Sequence, residues 1–342
     1  METKLAIVIL NFNGKKHLEN FLPSVCNYST NHQIIIADNG STDDSIHYLS
    51  TYFPKVQLIE LKYNFGFAGG YNVALEQIKG QFEYYLLLNS DVEVTENWIE
   101  PLLNFLEENP SVAACQPKIK SWNNKNQFEH AGAAGGFIDR NYFPFCRGRI
   151  FDRLETDDAQ FDFNLAVTWT SGAAMLIRAE LFHNVRGFDS DFFAHMEEID
   201  LCLRIGNKGH QFYCIPESTV YHLGGGTLEY QSPKKVYLNF RNSLFMIMKN
   251  HAGPLLPMLF YRMCLDGIAG IKFLVSGQLK NTMMVFLSHM NLYAQFGRFY
   301  KKRRQLRVKE RSFIRYNGQI IWDYYFLKNT VFTALNKRKF NK

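Results

Sequence analysis

The chain contains no C-x-x-C pair, and its six cysteines, at 26, 115, 146, 202, 214 and 264, are scattered. That spacing argues against a zinc or dithiol redox motif and leaves reduced thiols in a cytoplasmic setting as the expectation. No secretory-type apolar leader precedes the first strand-like run, KLAIVIL at 4–10. The longest uncharged stretch of the tail, 281–297, holds Asn281, Ser288, His289, Asn291 and Gln295, too many polar groups for a spanning helix. The P-loop spacing is missing from NFNGKK at 11–16. Acidic residues nearly vanish after residue 225, where 21 Lys/Arg face 4 Asp/Glu; before it, 17 face 28. This split predicts two functional regions, the second facing something anionic: lipid, nucleic acid, or the acidic first region itself.

What is present is an alternating pattern. Apolar runs at 4–10, 33–37, 56–61 and 83–88 read as strands, and 15–27, 43–52 and 68–79 between them as helices. The βαβαβαβ order predicts a parallel sheet with right-handed crossovers, and the unbroken apolar strands predict helices on both faces. Further on, 97–108 and 197–207 read as helices and 112–119, 169–177, 211–215 and 218–222 as strands, with loops or short hairpins over 120–165. The tail reads as helices at 233–250, about 255–288 and about 289–310. In the second of these Arg262, Asp266 and Lys280 form a narrow polar stripe, which suits core packing or shallow burial in a bilayer surface. The domains are accordingly expected at 1–228 and 229–342.

Charged groups end several of the apolar runs. Asp38 closes the second strand at the sheet's ligand-facing edge, where a carboxylate accepts from a base N–H or a ribose hydroxyl. Asn11 and Asn13 in the first βα turn are candidate base contacts. Gly69 and Asn72 sit in a glycine-rich turn that suits a phosphate at a helix start or, equally, close helix–sheet packing. EYYLLLNSD at 83–91 delivers Asn89 and Asp91 at a strand end; Asp91 and His222 are hard-cation candidates, and the glycines 224–226 after His222 allow close backbone approach. In HMEEIDLCLR, Glu197 and Glu198 are placed in a first helical turn, each a cap or a general base, while Asp200 and Arg204 are spaced to pair.

Taken together, AIVILNFNG (6–14), IIIADNGSTDDS (34–45), NFGFAGGYN (64–72), LLLNSD (86–91), SGAAMLIR (171–178), GFDSDFFAHMEEIDLCLR (187–204) and YHLGGGT (221–227) resemble the family 2 glycosyltransferases, on the rhamnosyltransferase-like branch that builds bacterial surface polysaccharides. The resemblance implies an α/β fold of the GT-A type, Rossmann-like with a mostly parallel central sheet and flanking helices, followed by a C-terminal helical region. It implies a nucleoside-diphosphate sugar donor (dTDP-rhamnose-like or a UDP-sugar), Mg²⁺ or Mn²⁺, and inversion at the anomeric carbon. By position, Asp38 would contact the nucleotide, Asp91 the metal, His222 the metal or diphosphate, and Glu198 would be the base. Asn89 stands where the family has the first Asp of D-x-D, and Glu198 where it has Asp. Trp169, Phe188 and Phe193, with Glu197, are candidate acceptor contacts, and Arg241 either reaches the diphosphate or caps a helix. The expected partners are a glycan or lipid-linked acceptor and the anionic inner face of the cell membrane, met peripherally by the basic tail, and not nucleic acid. A sugar-phosphate nucleotidyltransferase, which would need a Gly- and Arg-rich first loop, and a nucleic-acid-binding protein are the competing readings.

Overall fold

The computed structural model describes residues 4–130, 132–224, 232–306, 308 and 313–341. Gly225 and Gly226, and Arg307, Lys309 and Arg311 of the basic run, lie outside the described residues. The apolar runs form β1 (Leu5–Asn11), β2 (Gln33–Asp38), β3 (Gln57–Glu60) and β4 (Tyr84–Asn89), linked by α1 (Lys15–Tyr28), α2 (Ser45–Tyr52) and α3 (Gly66–Gln77). These four strands pair in parallel in the order β3-β2-β1-β4. Side chains alternate along β1: Leu5, Ile7 and Ile9 enter one core, Ala6 and Val8 the other, so helices must cover both faces.

The chain continues with β5 (Val92–Val94), α4 (Glu100–Glu108) and β6 (Val112–Ser121). Four short strands follow, β7 (Gly136–Ile138), β8 (Pro144–Cys146), β9 (Arg149–Ile150) and β10 (Arg153–Leu154), as a separate meander. Then come β11 (Leu165–Val167), β12 (Ala174–Arg178), α5 (Ala179–Asn184), α6 (Glu197–Gly206) and β13 (Gln211–His222). The main sheet runs β11-β13-β6-β12-β4-β1-β2-β3, with β5 on β13. Strand β12 is antiparallel to both β4 and β6, so the sheet is parallel in its first half and mixed in its second. The two strands expected at 211–222 are one strand, bent by a bulge between Ile215 and Thr219 that period-2 reading interprets as a gap.

The strand expected over Trp169–Ile177 is instead the end of a turn plus β12. Trp169 is buried at 4% exposure, and its Nε1–H donates to the Phe137 carbonyl at 3.0 Å. Its ring lies so close over Gly136 that a Cβ there would sit 2.0 Å away. Phe188 is equally buried, packed against Tyr71, Phe67 and Phe182. Both rings belong to the core, which argues against the acceptor contacts expected of them.

The tail forms α7 (Pro233–Asn250), α8 (Leu255–Val275), α9 (Leu279–Leu306) and α10 (Ile320–Tyr325). The helix break falls at Gly277, whose φ of +74° suits a helix end, and not near residue 288. The interruption, Ser276-Gly277-Gln278, is too short to end a helical reading by itself. Leu244–Met248, Leu292, Phe299, Tyr316 and Leu335 join the same core as Val8 and Tyr85. The polar stripe faces inward: Arg262 Nε donates to Asp266 Oδ1 at 2.9 Å, and the guanidinium lies 3.7 Å from the Phe143 ring centroid. Lys280 stays exposed. Among the described residues no helix is long and apolar enough to cross a membrane.

Replacing Trp169 with Ala should lower unfolding free energy by about 3–5 kcal/mol, as for other fully buried aromatics. Urea denaturation measures this; an unchanged midpoint would return Trp169 to the surface.

Candidate active site

The site lies where the carboxyl ends of β1, β2 and β4 meet the end of β13, the edge at which open α/β sheets receive ligands. Register does the assembling. Antiparallel pairing of β5 with β13 sets His222 opposite Val92, and the Leu223 N–H donates to the Asp91 carbonyl at 3.0 Å. The Asp91 side chain therefore meets the imidazole, Oδ1 to Nε2 at 3.1 Å. On the other side of the ring, Glu129 Oε2 lies 3.1 Å from Nδ1. Asn89 Nδ2 lies 3.4 Å from Nε2. All three of the Asp91–His222–Glu129 row are buried. Burial opposes the imidazolium, but Asp91 and Glu129 outweigh it and raise the His222 pKa to about 10. Burial likewise opposes the Asp91 charge, and His222 still holds that carboxyl below its ordinary range. Sequence reading missed Glu129, which sits in an Asn-rich stretch with no periodicity to mark it.

Around β1 and β2 the carboxylate of Asp38 is nearly inaccessible. Asn11 Nδ2 donates to its Oδ1 and the Ser41 N–H to its Oδ2, both at 2.9 Å. Asn11 Oδ1 has no partner among the described residues and is buried. Asn13 is turned to the neighbouring loop, its Oδ1 accepting from the Thr42 N–H at 2.7 Å. Asn39, not singled out beforehand, accepts from the Phe65 N–H and donates to the Gly66 carbonyl, joining the second loop to the third. Gly69 packs on Phe65, where a Cβ would lie 3.0 Å from the Phe65 Cβ. Asn72 grips the backbone of Phe188 through both ends of its amide, at 2.8 and 2.9 Å, and so holds the 187–190 loop instead of facing a donor.

The third wall is the turn 171–173. The Asn89 N–H donates to the Ala173 carbonyl at 3.0 Å, and a Cβ on Gly172 would lie 3.8 Å from Glu198 Cβ. This turn brings the start of α6 beside the end of β4. Glu197 is buried and Glu198 partly exposed; neither Oε2 has a partner among the described residues. Burial, aided by its acidic neighbour, pushes Glu197 well above the ordinary carboxyl range. Burial raises Glu198 to about 7, opposed only by backbone N–H donors. Glu197 is the more deeply buried of the two, which argues against the acceptor contact expected of it.

Phe193, His195 and Met196 lead into α6 with φ of 64°, 69° and 70°, a conformation non-glycine residues rarely hold. Such residues cost about 1–3 kcal/mol each and persist only where their surroundings fix them. Here the buried Asn242 of α7 does so, its Nδ2 donating to the carbonyls of Phe192, Ala194 and His195 at 2.9, 2.8 and 2.7 Å. Arg241 Nη2 donates to the carbonyls of Asp191 and Phe192, both at 3.0 Å. Its guanidinium also lies over Tyr237 and Phe245. Arg241 therefore braces the loop; it neither caps α7 nor is free to meet a diphosphate in this arrangement. The Phe67 N–H donates to the Phe193 carbonyl at 2.8 Å, and the Phe193 ring lies against Gly66. Of the three rings proposed as acceptor walls, Phe193 alone stays at the site's margin.

Residues 6–185 match the family described as Glycosyl transferase family 2. The chain belongs to that family. This glycosyltransferase is 25% identical over 277 residues, 74% of its length and 87% of the relative's, to the N-acetylglucosaminyl-diphospho-decaprenol L-rhamnosyltransferase of Mycobacterium tuberculosis. It is 25% identical over 165 residues to the rhamnosyltransferase WbbL of Escherichia coli, covering 46% of this chain and 61% of WbbL. Among solved structures, that of GalNAc-T7 with UDP, GalNAc and Mn²⁺ superposes with a TM-score of 0.60 at 13% identity, over 96% of this chain and 57% of that one. The mannosyltransferase PcManGT of Pyrobaculum calidifontis, in complex with GDP-Man and Mn²⁺, superposes with a TM-score of 0.51 at 13% identity, over 90% of this chain and 85% of that one. These superpositions establish a common α/β fold, with the C-terminal helices added to it.

Replacing Asn242 with Ala removes three bonds from a strained loop. We expect kcat to fall about 10–100-fold with donor KM nearly unchanged, since misplacing a reacting group by an ångström has effects of that size. Steady-state kinetics with donor varied checks the split.

Proposed function

We propose that this glycosyltransferase is an inverting, metal-dependent enzyme that moves a sugar from a nucleoside diphosphate to a hydroxyl of a glycan or lipid-linked acceptor in surface polysaccharide synthesis. The donor class is a dTDP-rhamnose-like or UDP-sugar, in keeping with the names of the rhamnosyltransferases to which the chain is similar. It works on the cytoplasmic side, peripherally at the inner face of the cell membrane. One observation carries the reading: a carboxylate with a raised pKa and an unpartnered oxygen, Glu198, stands across a three-residue turn from the strand end that leads to the Asp91–His222 pair.

The donor atoms suit Mg²⁺ or Mn²⁺. Asp91 offers an oxygen, and His222 would offer a nitrogen only on giving up the proton that its two carboxylate neighbours favour; among the described residues no group of three or more His, Cys, Asp or Glu converges to cage an ion. A two-residue site leaves room for diphosphate oxygens and water, the usual arrangement for ions that bind with phosphates. Asn89 in place of a second carboxylate keeps the protein's charge there low. Glu129 at Nδ1 orients the ring so that Nε2 faces Asp91. When bound, the ion neutralises charge on the departing nucleoside diphosphate.

Asn11 and Asp38, both buried, would act on the nucleoside indirectly, by fixing the loops after β1 and β2 on which it would rest. Glu198 takes the proton from the acceptor hydroxyl as that oxygen attacks from the face opposite the leaving group. A base titrating near 7 is balanced between being ionised and being strong enough to accept the proton.

Thermal-shift assays with nucleoside diphosphates should give a stabilisation that requires Mn²⁺ and is lost in Asp91→Ala; a metal-independent shift in both proteins would remove Asp91 from the reading. Glu198→Gln should keep that donor response while kcat drops about 10²–10⁴-fold. Because Glu198 works ionised, kcat/KM of the native enzyme should fall about tenfold per pH unit below pH ~7 and level off above it. A flat profile from acid to neutral pH would assign the base elsewhere.

A further inference from the structure

Helices α8 and α9 are packed inside out. Towards their shared corner the buried faces carry Arg262, Asp266 and Gly270 on one helix and Asn281, Val285 and Ser288 on the other, while Leu259, Leu292 and Phe299 are buried at the far ends. His289 Nε2 lies 3.7 Å from Asp266 Oδ2, and Thr282 Oγ1 donates to the Gly270 carbonyl at 3.1 Å. The outward faces are apolar. Ile268, Ile271 and Val275 recur at helical spacing along α8, as do Leu279, Met283 and Phe286 along α9, and each is more than half exposed. A helix that packs against a protein in water turns its apolar stripe inward. Polar and small residues between helices with apolar residues outside are the pattern of helices that meet lipid.

Charge selects the occupant. The apolar tip carries the exposed Lys272 and Lys280, and the sole acid of either helix, Asp266, is buried. A second copy seated on this face would bring lysines against lysines with no carboxylate between them, whereas anionic headgroups complement them. Aromatic rings border the patch: Tyr325 of α10 lies beneath the Lys272 ammonium, and the exposed Trp322 and Phe326 stack beside it at 4.3 Å. Rings of this kind favour the headgroup level.

We propose that the α8–α9 hairpin is a membrane-docking wedge, its tip from Ile268 to Phe286 entering the headgroup–acyl boundary of an anionic bilayer without crossing it. This rests on the peripheral-membrane part of the functional reading and adds to it the surface used and a hydrophobic mode of attachment. It differs from attachment by the basic run of α9, part of which is engaged elsewhere: Arg298 and Lys302 pair with Asp191, and Lys302 also with Asp189.

The test uses the full chain and vesicles of phosphatidylcholine with and without phosphatidylglycerol. The exposed native thiol Cys264 on α8 carries an environment-sensitive dye. Flotation with phosphatidylglycerol vesicles, partly retained in high salt, and a blue shift of the dye are expected. Val275→Asp with Leu279→Asp should weaken binding more than about tenfold. Lys272→Ala and Lys280→Ala should each weaken it about fivefold, at low salt only. All variants should keep the native thermal response to nucleoside diphosphate with Mn²⁺, so a lost docking surface is distinguishable from a lost active site. Undiminished flotation of the double Asp variant overturns the proposal. So does self-association of the native chain that the same variant abolishes while vesicles go unbound.

Discussion

Asp200 has no exposed surface and is the point at which α6 is fastened to the tail. It accepts from Arg204 Nε and Lys249 Nζ at 2.7 Å each and from Asn250 Nδ2 at 2.8 Å. Lys249 Nζ also reaches Asp189 at 2.7 Å, and Asp189 is shared with Lys302 of α9 at 2.6 Å. Burial penalises each of these charges, yet the cations hold Asp200 and Asp189 below the ordinary carboxyl range. Removing one partner from such a cluster leaves the others unpaired in a low-dielectric setting, a loss of roughly 3–5 kcal/mol. The orientation of α6, and with it the two glutamates, therefore depends on helices that arrive some fifty residues later in the chain.

That dependence explains the loop between Asp189 and Glu197. Its left-handed residues are strained by themselves and tolerable only between α3 on one side and α7 on the other. Amide groups from Asn72 and Asn242 grip the backbone, while Arg298 and Lys302 neutralise Asp191 at its outer margin. The acidic first region and the basic tail thus attract each other at one specific place. A share of the opposite charge in the two parts of the sequence is structural, and only the remainder is available to an external anion.

Much of this was legible in the residues alone. The β1–α1–β2–α2–β3–α3–β4 half was readable because every element there has a single strong period. Asp91 and His222 stood out because polar groups end apolar runs, and the structure pairs them; Glu198 stood out by its place in a first helical turn. The Asp200–Arg204 pair followed from helical spacing. The rest was hidden for physical reasons. Trp169 and Phe188 look the same in a sequence whether they stack on a sugar or on a glycine. Asn242 and Glu129 act through atoms contributed by segments far away in the chain. The bulge in β13 and the corner at Gly277 each rest on three residues, 216–218 and 276–278, which read equally well as a gap or as a minor interruption. The inward turn of the Arg262–Asp266 stripe depended on what lay opposite, the Phe143 ring of the meander.

Strand β13 joins the two halves of the chemistry. It starts only a few residues after α6 ends and finishes at His222, so the helix that carries the proposed base and the histidine proposed for the diphosphate end are consecutive parts of one segment. The geometry of leaving-group handling and of hydroxyl activation is consequently inherited together. An insertion in the 207–210 connection would displace both at once, whereas one in the loops after β1 or β2 would leave the α6–β13 pairing intact.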